Sequence, residues 1–462
     1  MAASATLPPP HAPAPETAMP DPSKPTLTAQ TLKGFRDILP DLMAPRQAMI
    51  RAIEATFGRH GFAPLQTPAL EYLETLAGKY GDEGDKLLYR FVDHGGRHVA
   101  LRYDLTVPLA RVVAEHRAQL QLPFRRYQIA PVWRADKPQR GRYREFFQCD
   151  ADICGVNSAL ADAEVLITGL AVLAALGITG ARLHLNHRDV LFGLIAAAGV
   201  TEKPQQLACI RAIDKLDKLP AAAVEAEIAR EAAVDPGVAA QVVAPFLAGA
   251  VTLDALAAAW TEPSARTAGL ARLGEVLGLV KAAGLGDSVV FDPSIARGLD
   301  YYTGIIYETR LTDARVSGMG AVMSGGRYDG LIGLFGKEQI PAVGISLGLD
   351  RLLAALQELD LVAKDGHAVQ AYVTVFGPAE AATAVAVAAQ LRASGLRTEL
   401  DLAGGKLGKQ LERASKRGAR LALLIGPDEV ASATVQLKDL LHGVQQSAPQ
   451  AQAAAVARAM IA

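Results

Sequence analysis

The stretch from Phe124 to Cys154, FRRYQIAPVWRADKPQRGRYREFFQCDADIC, constrains the fold more than any other part of the chain. Two runs of strand-forming residues enclose a loop of Gly, Pro and charge, which is the pattern of a β-hairpin with a long connection. Side chains alternate across a strand, so Gln128, Ala130, Val132 and Arg134 share one face of the first run. Phe146, Gln148, Asp150 and Asp152 share one face of the second. Antiparallel pairing then brings Arg134 near Phe146 and Gln148. Between Val132 and Asp152 lie five basic side chains: Arg134, Lys137, Arg140, Arg142 and Arg144. Guanidiniums match phosphate oxygens two at a time, an exposed aromatic offers a stacking plane for a base, and carboxylates take cationic or N–H groups. The set suits a nucleoside triphosphate lying beside a small amine-bearing substrate. The plainer alternative is a solvated hairpin with a charged loop.

A chain of 462 residues is too long for one core, and roughly two or three folding units are expected. With a formal net charge of -1, any attraction to nucleic acid must come from local patches. Cys149, Cys154 and Cys209 cannot build a disulfide framework and suit a reducing, cytoplasmic compartment. No apolar run approaches the roughly 18 residues of a membrane span, so no membrane association is expected. The opening residues lack the basic start and hydrophobic stretch of a secretory signal. Residues 1–30 read as a disordered Pro/Ala-rich tail.

Structure is expected from Lys33 onward. Met49, Ile50, Ile53 and Phe57 recur at helical spacing up to a stop at Gly61. HVALRYDLT alternates, with Val99, Leu101, Tyr103 and Leu105 on one face and Arg102 and Asp104 on the other, as a half-buried strand does. Pro108 can open a following helix. Residues 186–285 are Ala/Leu-rich with helical patterning and no obvious strand. Strand character returns at SVVF, continues through GAVMSGGRYDG, and AVGISLGLDRLLAAL runs a strand into a helix. After a linker at 359–368, residues 369–462 alternate strand and helix as a small α/β unit with a mixed or parallel sheet.

Three further stretches carry candidate chemistry. RGLDYYTG sets Arg297, Tyr301 and Tyr302 between glycines, and SGGRYDGL places Tyr328 beside a Gly pair that permits close backbone approach. GISLGLDRLL places Arg351 in the first turn of a helix, where a cation can join the anion-favouring helix terminus.

Together these segments resemble the histidyl-tRNA synthetase family of class II aminoacyl-tRNA synthetases, from Lys33 to the end of the chain. TPALE, with Pro68, resembles motif 1; FRRYQIAPVWRADKPQRGRYREFFQCDADI resembles motif 2, and AVGISLGLDRL resembles motif 3. RGLDYYTG and SGGRYDGL resemble the two histidine-specific signatures. The resemblance implies an α+β class II catalytic domain, an antiparallel sheet flanked by helices, over 31–185 and 286–358. It also implies a helical insertion domain at 186–285 and an anticodon-binding α/β domain at 369–462.

The same resemblance implies roles. Asp104, with Thr106 beside it, holds the histidine α-amino group; Gln148 and Asp152 contact the amino acid, and Tyr301, Tyr302 and Tyr328 shape its pocket. Arg134 holds the α-phosphate and the substrate carboxylate. Asp136, Arg142 and Phe146 contact ATP, Phe146 by stacking under adenine, and Arg351 meets the γ-phosphate. Arg297 is the catalytic arginine that stabilises charge at the α-phosphate. Mg²⁺ accompanies ATP, the partner is tRNA(His), and the chain forms a homodimer. In the last unit Lys409, Arg413, Lys416 and Arg417 fall on one helical face, read either as solvated or as a tRNA-contacting surface. Many bacterial members carry Glu at the positions of Asp104 and Asp152; Asp at both preserves the charge. The competing reading is a non-catalytic, synthetase-like regulatory subunit of ATP phosphoribosyltransferase, which shares the catalytic fold but generally lacks the anticodon-binding domain and loses ATP-site residues.

Overall fold

The computed structural model describes residues 28–138, 141–216, 218–247, 249, 251–296, 301–362 and 369–461. Arg140, Arg297, most of the N-terminal tail and residues 363–368 of the linker lie outside the described residues.

An eight-stranded sheet organises the first three quarters of the chain. Its order is Ala63–Pro64, Phe124–Trp133, Glu145–Cys154, Ala342–Gly348, Met323–Arg327, Ile305–Leu311, Ala181–His187 and Val289–Phe291. The interior pairs are antiparallel and the two edge pairs parallel. The two long strands pair in the register that alternation predicts, with Gln128 opposite Asp150, Ala130 opposite Gln148 and Val132 opposite Phe146. Continuing one step along that face sets Arg126 opposite Asp152.

Helices cover this sheet because their apolar residues recur at helical spacing. The helix Pro40–Arg59 buries Met49, Ile53 and Phe57, and Gly61 takes the positive φ that lets the chain turn away behind it. Ala159–Ala175 is apolar around most of its circumference and correspondingly buried, with the Ser158 hydroxyl accepting from the Ala161 N–H at 3.2 Å as its cap. Helix Ala265–Ala282 packs against it. One apolar core joins Ile345 of the sheet, and Ile53 and Leu166 of the helices covering it, to Val224, Val242 and Leu273 of the helical segment. The helical segment therefore shares its core with the sheet. Its sequence boundary at 186 falls inside the strand Ala181–His187, and the first helix after it is Arg188–Ala197.

The alternating run HVALRYDLT is a strand only in its first part. The strand ends at Leu101, as part of a three-stranded sheet with Leu70–Tyr72 and Arg90–Val92. Arg102 and Asp104, expected on an open face, are both buried. Arg102 is held by the carbonyls of Pro131 and Thr67, each at 2.8 Å, and Asp104 accepts the Val107 N–H at 3.1 Å where the helix Thr106–Glu115 begins. The alternation continues past the strand because both polar side chains have buried partners, Arg102 on distant carbonyls and Asp104 at the helix start.

The C-terminal unit has its own five-stranded mixed sheet, ordered Thr398–Leu400, Ala371–Val373, Leu421–Leu424, Thr434–Asp439 and Gln445–Pro449. The first three strands are parallel and the last two antiparallel. Gln445–Pro449 is an edge strand of polar composition that hydropathy patterning passes over.

Candidate active site

Beside the middle strands of the large sheet lies a cavity of about 570 Å³. Asp104, Thr106, Arg134, Asp136, Arg142, Phe146, Gln148, Tyr301, Tyr302 and Arg351 all line it. They arrive from a turn, two paired strands, the connection between those strands, a post-loop segment and a helix start, so only the fold brings them together.

Each side chain is fixed locally. The Arg134 Nε donates to the Tyr103 carbonyl at 3.0 Å, and its guanidinium lies over the Tyr103 ring at 4.3 Å and the Phe146 ring at 5.1 Å. Its alkyl stem is thereby held while its charge remains available to an anion. Arg142 grips Asp136 through Nε and Nη2, at 3.1 and 2.9 Å. Arg351 occupies the first turn of Leu349–Glu358, a helix oriented by burial of Leu349, Leu352, Leu353 and Leu356. Its guanidinium donates to the Ala321 carbonyl.

At the other end Asp104 is buried and accepts the hydroxyls of Tyr80 at 3.0 Å and Tyr301 at 3.1 Å. Burial pushes its pKa up, opposed by the Val107 N–H and the charge of Arg134. Gln148 donates to the Ser346 hydroxyl at 2.6 Å and more weakly toward Asp150 at 3.4 Å. Tyr302 sits against the backbone of Gly326, where a Cβ would lie 2.8 Å from its ring. The Gly pair of SGGRY thus allows the close approach that its sequence suggests.

Asp152 and Tyr328 are absent from the described cavity lining. Both are buried, and the Tyr328 hydroxyl donates to Asp152 Oδ1 while its ring packs edge-on against Tyr301 at 5.9 Å. Asp152 Oδ2 faces the Arg126 guanidinium at 2.7 Å. Burial raises the Asp152 pKa, and the Arg126 charge and the Tyr328 hydroxyl oppose the rise. Burial pushes Asp150 up to about 8, with Arg126 lowering it and Asp152 adding to the rise.

Residues outside the sequence-based set also belong here. Tyr80, Ser346 and Arg126 hold expected site residues, while Lys218 and Asp214 reach the cavity from the helical segment. Arg126 is one step along the same strand face as Gln128. Tyr80 and Ser346 carry no comparable sequence signal.

A family model described as Histidyl-tRNA synthetase matches residues 34–352, and an anticodon binding domain model matches residues 370–460. A histidine--tRNA ligase of Rhodopirellula baltica is 42% identical over 418 residues, covering 89% of this chain and 93% of that protein. The chain belongs to the histidyl-tRNA synthetase family. The crystal structure of a histidyl-tRNA synthetase from Nostoc sp. PCC 7120 superposes with a TM-score of 0.81 at 31% identity, covering 94% of this chain and all of the other. The structure of an ATP phosphoribosyltransferase regulatory subunit/histidyl-tRNA synthetase from Bacillus halodurans gives a TM-score of 0.72 over 87% of this chain and 99% of that one. At 21% identity that likeness shows the fold alone. The family identity and the C-terminal domain favour the synthetase over the regulatory reading.

In the C-terminal unit, the helix Leu407–Lys416 carries Lys409, Arg413 and Lys416, with Arg417 at its end. Lys409, Lys416 and Arg417 are exposed. Arg413 is turned inward: it donates to the buried Asp401 carboxylate at 3.0 and 2.7 Å and to the Gly404 carbonyl at 2.6 Å. The four cations therefore do not form one uniformly solvent-facing set, because Asp401 captures one of them.

Proposed function

We infer that the cavity activates histidine with ATP before the amino acid is transferred to tRNA. As a histidine–tRNA ligase, the chain attaches L-histidine to tRNA(His) through a histidyl-adenylate, releasing diphosphate and then AMP. The observation that carries the site assignment is the single cavity lined by Arg134, Arg142, Phe146 and Arg351 together with Asp104, Gln148, Tyr301 and Tyr302. Cations and an aromatic face suit a triphosphate and its base; a carboxylate, an amide and phenols suit an amino acid.

In this reading the histidine carboxylate oxygen attacks the α-phosphorus, and the bond to the β,γ-diphosphate breaks. Two anions must meet, and charge builds on the phosphoryl oxygens. Arg134 is held by Tyr103 and Phe146 where it can bind both. Asp104 anchors the ammonium group, with its orientation set by Tyr80, Tyr301 and the Val107 N–H. Phe146 supports adenine, Arg142 and Asp136 flank the nucleotide, Arg351 meets the γ-phosphate, and Arg297 stabilises the α-phosphate. Mg²⁺ arrives with ATP as part of the nucleotide substrate.

The exposed Lys409, Lys416 and Arg417 suit contact with tRNA phosphates. Leu70, Tyr72 and Phe91 are exposed on one face of the three-stranded sheet, which suits a second copy of the chain and so a homodimer. Three buried, unpaired cysteines suit a cytoplasmic location. Among the described residues no helix is long and apolar enough to cross a membrane.

Histidine-dependent exchange of pyrophosphate into ATP, without tRNA, tests the activation step. The ligase reading expects exchange with histidine; binding of histidine by folded protein without exchange would favour the regulatory reading.

A further inference from the structure

Arg126 is 0% exposed, the largest fully buried side chain among the described residues. Such a guanidinium loses several kcal/mol of hydration unless charge and hydrogen bonds replace it. Its Nη2 lies 2.7 Å from Asp152 Oδ2 and donates to the Leu105 carbonyl at 3.1 Å. Nε and Nη1 have no hydrogen-bond partner among the described residues. The partners of Arg126 are thus the carboxylate expected to recognise the substrate side chain and the peptide between Asp104 and Thr106, which are expected to hold its amino group. Strand pairing fixes this geometry, because Arg126 stands directly opposite Asp152.

We propose that Arg126 is a positioning residue for histidine recognition, clamping Asp152 to the Asp104–Thr106 turn. The proposal rests on reading the cavity as the histidine site. Asp152, Asp150 and Asp104 form a group of buried acids, and each is pushed toward its protonated form by burial. A protonated Asp152 could donate to the oxygen of Tyr328 and would no longer order that hydroxyl proton toward itself. With Arg126 present, Asp152 Oδ1 accepts from Tyr328, leaving lone pairs on the phenol oxygen. The clamp therefore sets the donor and acceptor pattern beneath the substrate pocket without itself lining the cavity.

The test is a double-mutant cycle on histidine-dependent pyrophosphate exchange, using full-length wild type, Arg126→Gln, Asp152→Asn and the double variant. Histidine and ATP are varied separately, and folding is checked by circular dichroism and thermal melting. Arg126→Gln is expected to raise KM for histidine about tenfold or more, the scale of one charged hydrogen bond, with KM for ATP within about twofold of wild type. In the Asp152→Asn background the same substitution should add little to the histidine KM. Full additivity, or equal damage to the histidine and ATP constants, would overturn the positioning role. An unchanged histidine KM in Asp152→Asn would instead refute the reading of the pocket on which the proposal rests. Should Arg126→Gln fail to fold, Arg126→Lys replaces it in the cycle: it keeps the charge but not the double reach. Coupling to Asp152 is again expected, and additivity again overturns the role.

Discussion

Asp104→Asn separates the charge of Asp104 from its shape. The native carboxylate accepts the Tyr80 and Tyr301 hydroxyls at 3.0 and 3.1 Å and the Val107 N–H at 3.1 Å. An amide can keep its oxygen toward the Tyr80 hydroxyl and the Val107 N–H, which share Oδ1, but presents an NH₂ group where Oδ2 met Tyr301. The Tyr301 phenol can reverse and accept, so most local contacts have a substitute and the fold should persist. The substrate ammonium has none, since it loses its counter-charge and meets an NH₂ donor. Losing a charged hydrogen bond costs about 1.5–3 kcal/mol, or roughly 10- to 150-fold in kcat/KM for histidine. Pyrophosphate exchange with histidine varied at saturating ATP measures this directly. With ATP varied, KM for the nucleotide should stay within about twofold, because no ammonium contact touches it. A folded Asp104→Asn protein with wild-type kcat/KM for histidine would refute the assignment of Asp104 to the amino group.

Arg297→Ala should lower the rate of adenylate formation by about 100- to 1,000-fold with an unchanged melting profile, the scale for one group acting on transition-state charge; single-turnover kinetics reads it. Gly344→Ala should lower the thermal midpoint and raise the histidine KM, because a Cβ there would stand 1.8 Å from Asp152 Oδ1 on the paired strand. Replacing Lys409, Lys416 and Arg417 by Gln should raise KM for tRNA and flatten the salt dependence of binding while leaving pyrophosphate exchange unchanged. Asp150, with a folded pKa near 8 against an ordinary 3.8, keeps its proton where the unfolded chain releases it. Its contribution to stability is therefore present in acid and lost as pH rises toward 8, by at most about 1.4 kcal/mol per pH unit. Denaturant titrations from pH 5 to 9 should show a shallower loss in Asp150→Asn than in wild type.

Local alternation was enough to read the heart of the site. The faces of FRRYQIAPVWR and REFFQCDADIC put Arg134 against Phe146, and the structure has those groups 5.1 Å apart. The strand-to-helix step before Arg351 was equally legible, since a Gly-spaced strand runs directly into an amphipathic helix. Contacts between distant segments were not. Tyr80 lies in a short helical turn region with no periodic signal, yet it orients Asp104 from 24 residues away. Arg413 resembles any exposed helical cation until Asp401, across a turn of the chain, captures it. The burial of Asp104 was hidden because alternation cannot distinguish a polar residue facing water from one facing buried partners.

On the proposed reading, this chain makes histidyl-adenylate in the cavity and passes the amino acid to tRNA. Protein incubated with radiolabelled histidine and MgATP, with pyrophosphatase present and tRNA absent, can be freed of small molecules by rapid gel filtration. About one labelled adenylate per active site is expected, with transfer of the label to tRNA(His) and release of AMP when the tRNA is added. Folded protein that retains labelled histidine but forms no adenylate, and moves no label to tRNA, would contradict that reading.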